Sequence, residues 1–355
     1  MNDTSLYEIE LWSRQNVYVA DISMLAKSFN YSMERNAAES FELELDLYAF
    51  EDLCASMNAL PMTILYPYKT DIKVKRDGEY LFRVHVIETN TNLDVDNATI
   101  KIKALGYLDL LSDRFVTKTY TAQYETDIVQ DLITETQSQT NGNLGITFGT
   151  QTQLIQRDRT YERQNVKEAI LNLTNLVDGN FDFKIDHNKV LTTYPLIGSD
   201  RSKELVFVYP GNIKNMSIPR TGIKLFNKVY GIGAGFGEDQ IQSTQVDTNS
   251  QLDFGVHEEV RTWNSVLIQD TLDQNATARL ANVKNILEIP QITVSGKDFD
   301  MNDYGIGDTV TVRVKNHKFL SNIDGKYRIE RIEVTVDENQ DEDIKMYFDN
   351  EQVDT

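Results

Sequence analysis

Four histidines are the residues best suited to acid–base catalysis or metal binding, and their spacing argues against both roles. His85, His187, His257 and His317 are widely separated, so no pair has the spacing of a local metal motif. The run from His257 to Arg261 (HEEVR) begins like the helix of a zinc protease but lacks the second histidine. We expect all four histidines to be strand or turn residues without a catalytic role.

The single cysteine, Cys54, excludes an internal disulfide and a cysteine-based zinc cage. Phe50, Leu53 and Met57 recur around it at helical spacing, so Cys54 is predicted to lie on the buried face of a short helix. No Gly-x-Ser-x-Gly sequence is present, which removes the common serine-hydrolase elbow.

The glycine run from Gly231 to Gly237 (GIGAGFG) invites comparison with a phosphate-binding loop. Its glycines fall at every second position rather than as Gly-x-Gly-x-x-Gly, and no Walker lysine follows. We interpret the run as a strand edge where glycine permits a bulge or a close backbone approach. Residues 238–251 are polar without a clear period and are predicted to be a loop.

Two acidic segments could bind cations. Asp94 to Asn97 (DVDN) lacks the glycine and the terminal glutamate of a calcium loop. The tail from Asp337 to Thr355 is predicted to be a solvated hairpin and a frayed terminus. Paired carboxylates for glycoside hydrolysis stay open, because their separation is set by the fold. We therefore predict no catalytic residue, no cofactor-binding residue and no metal ligand, and hence a protein that is not an enzyme.

The composition is that of a folded, acidic protein. Of 355 residues, 40% are hydrophobic and 25% are charged, which excludes wholesale disorder and predicts two to four packed units. The net charge of −20 argues against gripping nucleic acid or anionic lipid; it fits a solvated surface or a wall past which DNA slides. No apolar run approaches the ~18 residues of a membrane span, and the polar amino terminus lacks a secretory signal.

The fold class predicted from the apolar pattern is α+β, mostly β, and residues 1–113 are predicted to form a first small antiparallel β-barrel. Apolar and polar residues alternate from Tyr7 to Leu11 and from Phe41 to Leu47, as in strands with one buried face. The Asp77-Gly78 pair between two further strands predicts a tight hairpin.

The middle of the chain, 114–200, is predicted to form an α+β domain of two helices and a small sheet. Both helices, near 124–137 and 166–179, have an apolar face. Asn165 is a potential N-cap of the second helix, and a hairpin follows over 181–194.

Residues 201–237 and 288–355 are predicted to form a second β-barrel, interrupted by an insertion, 238–287, with one helix. That helix begins at Asp270, and its predicted apolar face consists of Leu272, Ala276, Leu280, Val283 and Leu287.

A possible internal sequence repeat links the two predicted barrels. A strand, an Asp-Gly pair, a Tyr-led strand, an acidic turn and a strand follow one another in 71–105 and again in 308–348. Chance and duplication both remain open, because any two antiparallel meanders share much of this order. Duplication predicts one common meander with inward-facing side chains at equivalent places, Ile100 and Ile102 in one copy and Ile344 and Met346 in the other.

The order of these units resembles that of the tail-tip hub proteins of long-tailed bacteriophages, a family that includes the amino-terminal hub region of tail-associated lysins and the baseplate hub of contractile tails. Gly307 to Val312 (GDTVTV) is similar to the family's Gly-Asp-x-Val turn, and Tyr327 to Ile332 (YRIERI) to its Tyr-x-Ile strand. The other matching stretches, which spread the resemblance over nearly the whole chain, are 18–23, 104–112, 159–161 with 166–179, 227–231 and 272–287.

The resemblance implies a homotrimeric symmetry adapter at the tail tip of a virion, made in the host cytoplasm. Two similar barrels per chain would mate a threefold tip to a sixfold tail tube, and a central channel would close before infection and later pass DNA without binding it specifically. The implied partners are the distal tail or tail-tube hexamer, the tape-measure protein and receptor-binding or fibre proteins, with no cofactor and no stable membrane insertion. The chain ends where the second barrel would close, which implies a bare hub.

A β-rich carbohydrate-binding or carbohydrate-cleaving protein is the alternative. It needs an exposed aromatic platform and, for cleavage, two carboxylates across a groove. The 17 tyrosines could supply a platform, but Trp12 and Trp263 are the only tryptophans.

Overall fold

A computed structural model describes residues 7–93, 97–174, 176, 180–263, 266–288, 290–296, 303–315 and 323–349. The chain is mostly β, with 45% strand and 22% helix, and the pairing is predominantly antiparallel. The predicted class, α+β with a majority of strand, is therefore confirmed.

The strands, in chain order, are β1 (Tyr7–Ser13), β2 (Tyr18–Asp21), β3 (Ala26–Glu34), β4 (Ser40–Asp46), β5 (Thr70–Arg76), β6 (Glu79–Asn92), β7 (Thr99–Gly106), β8 (Phe115–Tyr124), β9 (Thr147–Phe148), β10 (Gln156–Asn165), β11 (Asp182–Ile185), β12 (Val190–Tyr194), β13 (Val206–Tyr209), β14 (Asn215–Ser217), β15 (Arg220–Thr221), β16 (Lys228–Ile232), β17 (Gln242–Val246), β18 (Glu258–Thr262), β19 (Leu287–Glu288), β20 (Gln291–Ser295), β21 (Thr309–Val314), β22 (Asp324–Val336) and β23 (Glu342–Phe348).

The α-helices are α1 (Leu47–Ser56), α2 (Pro61–Ile64), α3 (Glu125–Ser138), α4 (Val166–Thr174), α5 (Thr248–Phe254) and α6 (Gln269–Val283), and single 3-10 turns lie at Ser23–Leu25, Tyr107–Leu111 and Gly237–Asp239. No helix in the described ranges is long and apolar enough to cross a membrane.

One large sheet contains strands from both ends of the chain. Its order is β14-β20-β23-β22-β3-β4-β7-β6-β5-β1-β2, and β21 and β13 continue from β22 on a branch. The two halves meet where β3 pairs antiparallel with β22, with Tyr31 opposite Val334. The two predicted barrels are not confirmed: the described strands form no closed barrel. The alternation of apolar and polar residues predicts which face of a strand is buried. It carries no information on which strands are neighbours in the sheet.

The cores follow the same division. The main cluster joins buried residues of the first third, such as Phe41 and Val84, to residues of the last part, such as Ile332 and Ile344. A second cluster extends from Tyr107 to Leu191 and contains the apolar faces of α3 and α4. A small third cluster forms beneath α6.

Both predicted helices of the middle region are present. In α3 the residues Ile128, Leu132 and Ile133 are fully buried, as their spacing predicts. At the start of α4 the Asn165 carboxamide oxygen accepts a hydrogen bond of 3.1 Å from the Glu168 backbone N–H, which is the geometry of an N-cap. The predicted stop at Gly179 lies outside the described residues.

The predicted repeat is confirmed in strand order and in register. Strands β5-β6-β7 and β21-β22-β23 each form an antiparallel meander. All four inward-facing positions are buried, Ile100 and Ile102 in one copy and Ile344 and Met346 in the other. Each long middle strand also has a bulge, whose extra residue is Ile87 in β6 and Glu330 in β22. Thr91 lies opposite Ile100, and Val334 lies opposite Ile344. In each copy the extra residue of the bulge comes four positions before this residue of the middle strand.

The repeat extends beyond the meander. In the amino-terminal copy the sheet order is β3-β4-β7-β6-β5, and in the carboxy-terminal copy it is β14-β20-β23-β22-β21. Numbered within each copy, both orders are first, second, fifth, fourth, third. The stretch with β15 to β19, α5 and α6 lies between the first and second strands of the later copy. An order shared by five strands is stronger evidence for duplication than the meander alone.

Four sequence-based expectations for the second half are wrong. Asp324 and Gly325 lie inside β22, opposite Arg313 and Val312, and do not form a tight turn. Residues 238–251 contain β17 and the start of α5 rather than a loop, and the described part of the insertion, 238–263 and 266–287, has two helices rather than one. Polar β17 was missed because its residues lack an apolar alternation. The helix α5 does have a signal, Asp247 as N-cap and Gly255 at its end with φ of 80°. Leu287 belongs to β19 and not to α6.

The two Asp-Gly pairs predict effects of different size when the glycine is replaced by valine. Gly78 has φ of 84°, a region where a β-branched residue costs about 1–2 kcal/mol. Gly325 has extended backbone, and an added Cβ would meet only the Tyr327 ring at 3.5 Å. We expect Gly78→Val to lower the free energy of unfolding by about 1–2 kcal/mol and Gly325→Val to change it by less than about 0.5 kcal/mol. Urea denaturation of both variants checks this; equal losses would contradict the assigned backbone conformations.

Candidate functional site: buried ionic junctions and assembly surfaces

His85, His187, His257 and Cys54 do not converge on one site. His85 is buried in β6, where burial lowers the pKa of its imidazole, and His187 stacks on Tyr80 with ring centroids 4.2 Å apart. His257 precedes β18, so the HEEVR run is a strand rather than a metal-binding helix. Cys54 is buried in α1, as predicted. In the ranges that the structure describes, no group of three His, Cys, Asp or Glu side chains could hold a metal ion.

Two of the sequence candidates, His317 and most of Asp94 to Asn97, lie outside the described residues. The glycine run is described, and the predicted strand edge is wrong at Gly231, because β16 pairs with β17 on one side and β18 on the other; the predicted close approach is observed. A Cβ on Gly231 would lie 3.1 Å from the Trp263 ring and 3.3 Å from the Ala276 Cβ. A single 3-10 turn, Gly237–Asp239, follows the run, and so short a turn offers no helix dipole to a phosphate.

A buried ion pair joins the two sheet copies. The guanidinium of Arg76, at the end of β5, donates to the carboxylate of Glu342, at the start of β23, over 2.9 Å from Nε and 2.8 Å from Nη2. Arg76 is 1% exposed and Glu342 is 7% exposed. The hydroxyl of Tyr7 donates to the same carboxylate, and burial together with the nearby Tyr31 and Glu342 raises the pKa of Tyr7. The prediction that this acidic segment is solvated is therefore wrong at Glu342.

A second buried junction connects the first sheet copy to the middle unit. The carboxylate of Asp71 accepts hydrogen bonds from Arg83 Nη2 and from the Tyr107 hydroxyl, both at 2.5 Å. The ammonium of Lys189 lies 3.9 Å from the same carboxylate and donates to the Arg14 carbonyl at 3.1 Å. Burial and the neighbouring Arg83 lower the pKa of Lys189 to about 8. The hairpin between β11 and β12 is thereby held against the main sheet.

A third junction lies at Asp182, the first residue of β11. Its carboxylate accepts from Arg328 at 2.9 Å, from Arg35 at 3.0 Å and from the Ile197 backbone N–H at 2.8 Å. Burial alone would raise the pKa of Asp182, but these hydrogen bonds and the arginine charges lower it. Arg35 also donates to Glu330 at 2.7 Å. Since Glu330 is the extra residue of the β22 bulge, the bulge aims this carboxylate at the turn after β3.

A cavity of about 550 Å³ lies beside the third junction, where the main sheet meets the middle unit, and Arg35 is part of its wall. Its wall includes Glu39, Leu108, Phe183 and Tyr304. The carboxyl of Glu39 packs against Gly106, where a Cβ would collide with it. Burial raises the pKa of Glu39 to about 7, and its own backbone N–H and the distant Lys184 offset only part of that shift. The carboxyl of Glu39, with its raised pKa, therefore lies at the boundary between the main sheet and the middle unit.

Exposed apolar side chains are concentrated in two segments. One follows β4 and comprises Tyr48, Leu60, Met62, Tyr66 and Tyr68; the other belongs to the insertion and comprises Leu252, Phe254, Val256, Val260, Leu267 and Ile268. Exposed apolar side chains of this size are candidates for protein–protein contacts. The apolar pattern of the sequence could not identify them, since exposure depends on what the fold leaves uncovered.

The fold is shared with bacteriophage tail proteins. A tail protein from Neisseria meningitidis MC58 aligns with a TM-score of 0.67 over 96% of this chain and 96% of its own, at 13% identity. A 43 kDa tail protein of prophage MuSo2 from Shewanella oneidensis aligns with a TM-score of 0.65 over 98% of this chain and 100% of its own, at 14% identity.

A further similar structure comes from a secretion machine. The c3393 protein of E. coli, a type VI secretion system component described as similar in structure to the T4 tail proteins gp27 and gp5, aligns with a TM-score of 0.52. The alignment covers 91% of this chain and 73% of that one, at 10% identity. No protein-family model matches this sequence, and no curated protein matches it. The resemblance to tail-tip and baseplate hub proteins is confirmed at the level of the fold.

The Arg76–Glu342 pair predicts a large and specific loss of stability. Glu342→Gln removes the charge opposite a buried guanidinium, and breaking such a pair costs about 3–5 kcal/mol. The matched control is Glu338→Gln, at an exposed carboxylate of the same β22–β23 hairpin, for which we expect less than about 0.5 kcal/mol. Urea denaturation of the two variants measures the difference. Similar losses in the two variants would show that a neutral side chain at position 342 satisfies Arg76 as well as the carboxylate does, and would contradict this prediction.

The raised pKa of Glu39 predicts a pH-dependent stability. The folded protein holds the proton up to about pH 7, whereas an unfolded glutamate releases it near 4.3. The contribution of Glu39 is therefore fully present below the unfolded pKa and is lost as the pH rises through the folded pKa. We expect Glu39→Gln to melt at a higher temperature than the parent at pH 8 and at a similar temperature at pH 4. Glu34→Gln, exposed at the end of β3, is the control, and an advantage of Glu39→Gln that is independent of pH would contradict the shift.

Proposed function

We propose that this chain is the structural hub of a phage tail tip, a homotrimeric symmetry adapter that closes the tail tube and connects it to the receptor-binding or fibre apparatus. The observation that carries the proposal is the fold shared over nearly the full length of two tail proteins. The c3393 protein adds support, because its described similarity to gp27 and gp5 concerns proteins of the T4 tail.

The duplicated sheet gives the adapter its physical basis. Each chain has two five-stranded copies with one strand order, so three chains present six similar surfaces to a hexameric ring. Identical chains joined head to tail close into a ring by rotation. In this proposal residues 1–113 form one of the two ring-forming units, and residues 201–237 together with 288–355 form the other. Residues 114–200 are the middle domain, and residues 238–287 are an insertion.

The proposed partners are the distal tail or tail-tube hexamer, the tape-measure protein and receptor-binding or fibre proteins. The two exposed apolar segments are the surfaces we assign to such contacts. A net charge of −20 suits a channel through which DNA passes without specific binding, since phosphates are repelled rather than neutralised. We propose a structural rather than catalytic role in the virion tail.

The carbohydrate alternative has less support from the aromatic residues. The Lys73 ammonium lies 4.1 Å from the centroid of the Trp12 ring, so one face of that ring is covered. Trp263 packs against Gly231. Each tryptophan therefore has part of its ring surface occupied by contacts within the chain.

The proposal predicts three copies of the chain at the tail tip. Cryo-electron microscopy of assembled particles, with the sixfold tail tube as an internal reference, counts them and locates them. We expect density for three chains arranged around the tail axis, directly distal to the tube. A single copy, six identical copies or a position elsewhere in the particle would contradict the hub assignment.

A further inference from the structure

The two sheet copies differ at one strand edge. In the later copy, residues 331–336 of β22 pair with β23 on one side and with β3 on the other. In the earlier copy, Val84 and His85 pair simultaneously with β5 and β7, which therefore flank β6 on opposite sides. Beyond Thr70, the first residue of β5, the equivalent residues 88–92 have β7 on one side, and no strand of the described ranges lies on the other.

That free edge is exposed. Glu88, Asn90, Thr91 and Asn92 are accessible to solvent, and Leu93 is 74% exposed although it occupies the position of fully buried Val336 in the later copy. Residues 88–93 contain no lysine and no proline, two of the residue types with which proteins block unwanted strand pairing. The bulge at Ile87 precedes them, as the bulge at Glu330 precedes the paired residues 331–336 of the later copy.

The strand that matches β3 lies at the opposite end of the sheet. Within each copy β3 and β14 hold the same first place, and β14 is the terminal strand of the described sheet. Phe29 lies opposite Leu43, and Met216 lies opposite Ile292. Since Leu43 and Ile292 each pair with an inward residue of the fifth strand, Ile102 or Met346, Met216 is the counterpart of Phe29.

We propose that residues 88–93 of one chain pair antiparallel with β14 and the residues after it in a second copy of this chain. The β3–β22 contact inside each chain would then alternate with an equivalent contact between chains. This inference rests on the proposed homotrimer and specifies its interface. The contact is head to tail, because the two edges belong to different sheet copies; such an interface gives a ring when its rotation closes, which the proposed homotrimer requires after three chains.

The internal contact supplies the register. Transferring the pairs of β22 with β3 onto the equivalent residues places Leu93 opposite Met216, Asn92 opposite Ser217 and Thr91 opposite Ile218. Leu93, Met216 and Ile218 then share the apolar face of the sheet, and the polar pair Asn92 and Ser217 faces outward, as alternation requires. Pro219 follows, where a residue without a backbone N–H fits the end of the pairing.

Disulfide trapping in the full-length chain tests this register. With Asn92→Cys and Ser217→Cys in one chain, mild oxidation should give covalent dimers and trimers that reductant dissolves, both in concentrated protein and in assembled tail tips. Both side chains are exposed, so the substitutions leave the core intact. Cys54 is buried and is kept in every variant.

Two matched pairs make the result specific. Glu88→Cys with Ser217→Cys displaces the thiol by four residues, about 13 Å along the strand, which is beyond the reach of a disulfide; it should give monomers. Asn30→Cys with Thr335→Cys places thiols on the equivalent internal pair and should form a bond within the chain without a ladder.

The outcomes separate this interface from the hub assignment. If tail tips contain three copies but the Asn92–Ser217 pair gives no ladder, the edge pairing is overturned and the hub proposal stands. If the Glu88–Ser217 control links equally well, the register is overturned. A single copy per tip would overturn both.

Discussion

The pairing of β3 with β22 is the contact on which the rest of the architecture depends. It places the amino-terminal and carboxy-terminal parts of the chain side by side in one sheet, with Tyr31 against Val334. Both residues are at most 1% exposed. Contacts between such distant segments must offset a large loop-closure entropy, so they form only where much apolar surface is buried at once. Without β3–β22 the main core would separate into two smaller ones, each with an uncovered apolar edge.

The buried ionic groups lie where the units meet. Arg76 forms an ion pair with Glu342 between the two sheet copies, and Arg83 forms one with Asp71 beside the middle unit. Asp182 forms ion pairs with both Arg35 and Arg328. Ion pairs of this kind contribute little net stability, because desolvation offsets most of the attraction. A displaced arrangement, however, would leave a buried charge without its partner. The junctions therefore select one relative placement of units that hydrophobic burial alone would leave adjustable.

Local patterns predicted the local structure. The alternation of Phe41 to Leu47, the Asp77-Gly78 turn, the apolar face of α3 and that of α6 as far as Val283 are observed, because each depends on residues close in sequence. The partner of β3 and the burial of Glu342 depend on contacts between distant residues and leave no periodic signal. Asp324-Gly325 shows the limit within one motif: the same dipeptide that turns the chain at 77–78 lies extended in β22 once Arg313 and Val312 pair with it.

The two copies have kept their internal pairing and diverged around it. The outer neighbour of the third strand is antiparallel β1 in the earlier copy and parallel β13 in the later one, and the insertion interrupts only the later copy. The bulge is retained in both, yet its extra residue is half-buried Ile87 in one and arginine-bound Glu330 in the other. Shared strand order with divergent surroundings fits the adapter proposed above. In the proposed trimer the shared sheet would offer two similar surfaces per chain to a sixfold partner, while the features that differ occur once per chain and would stay threefold.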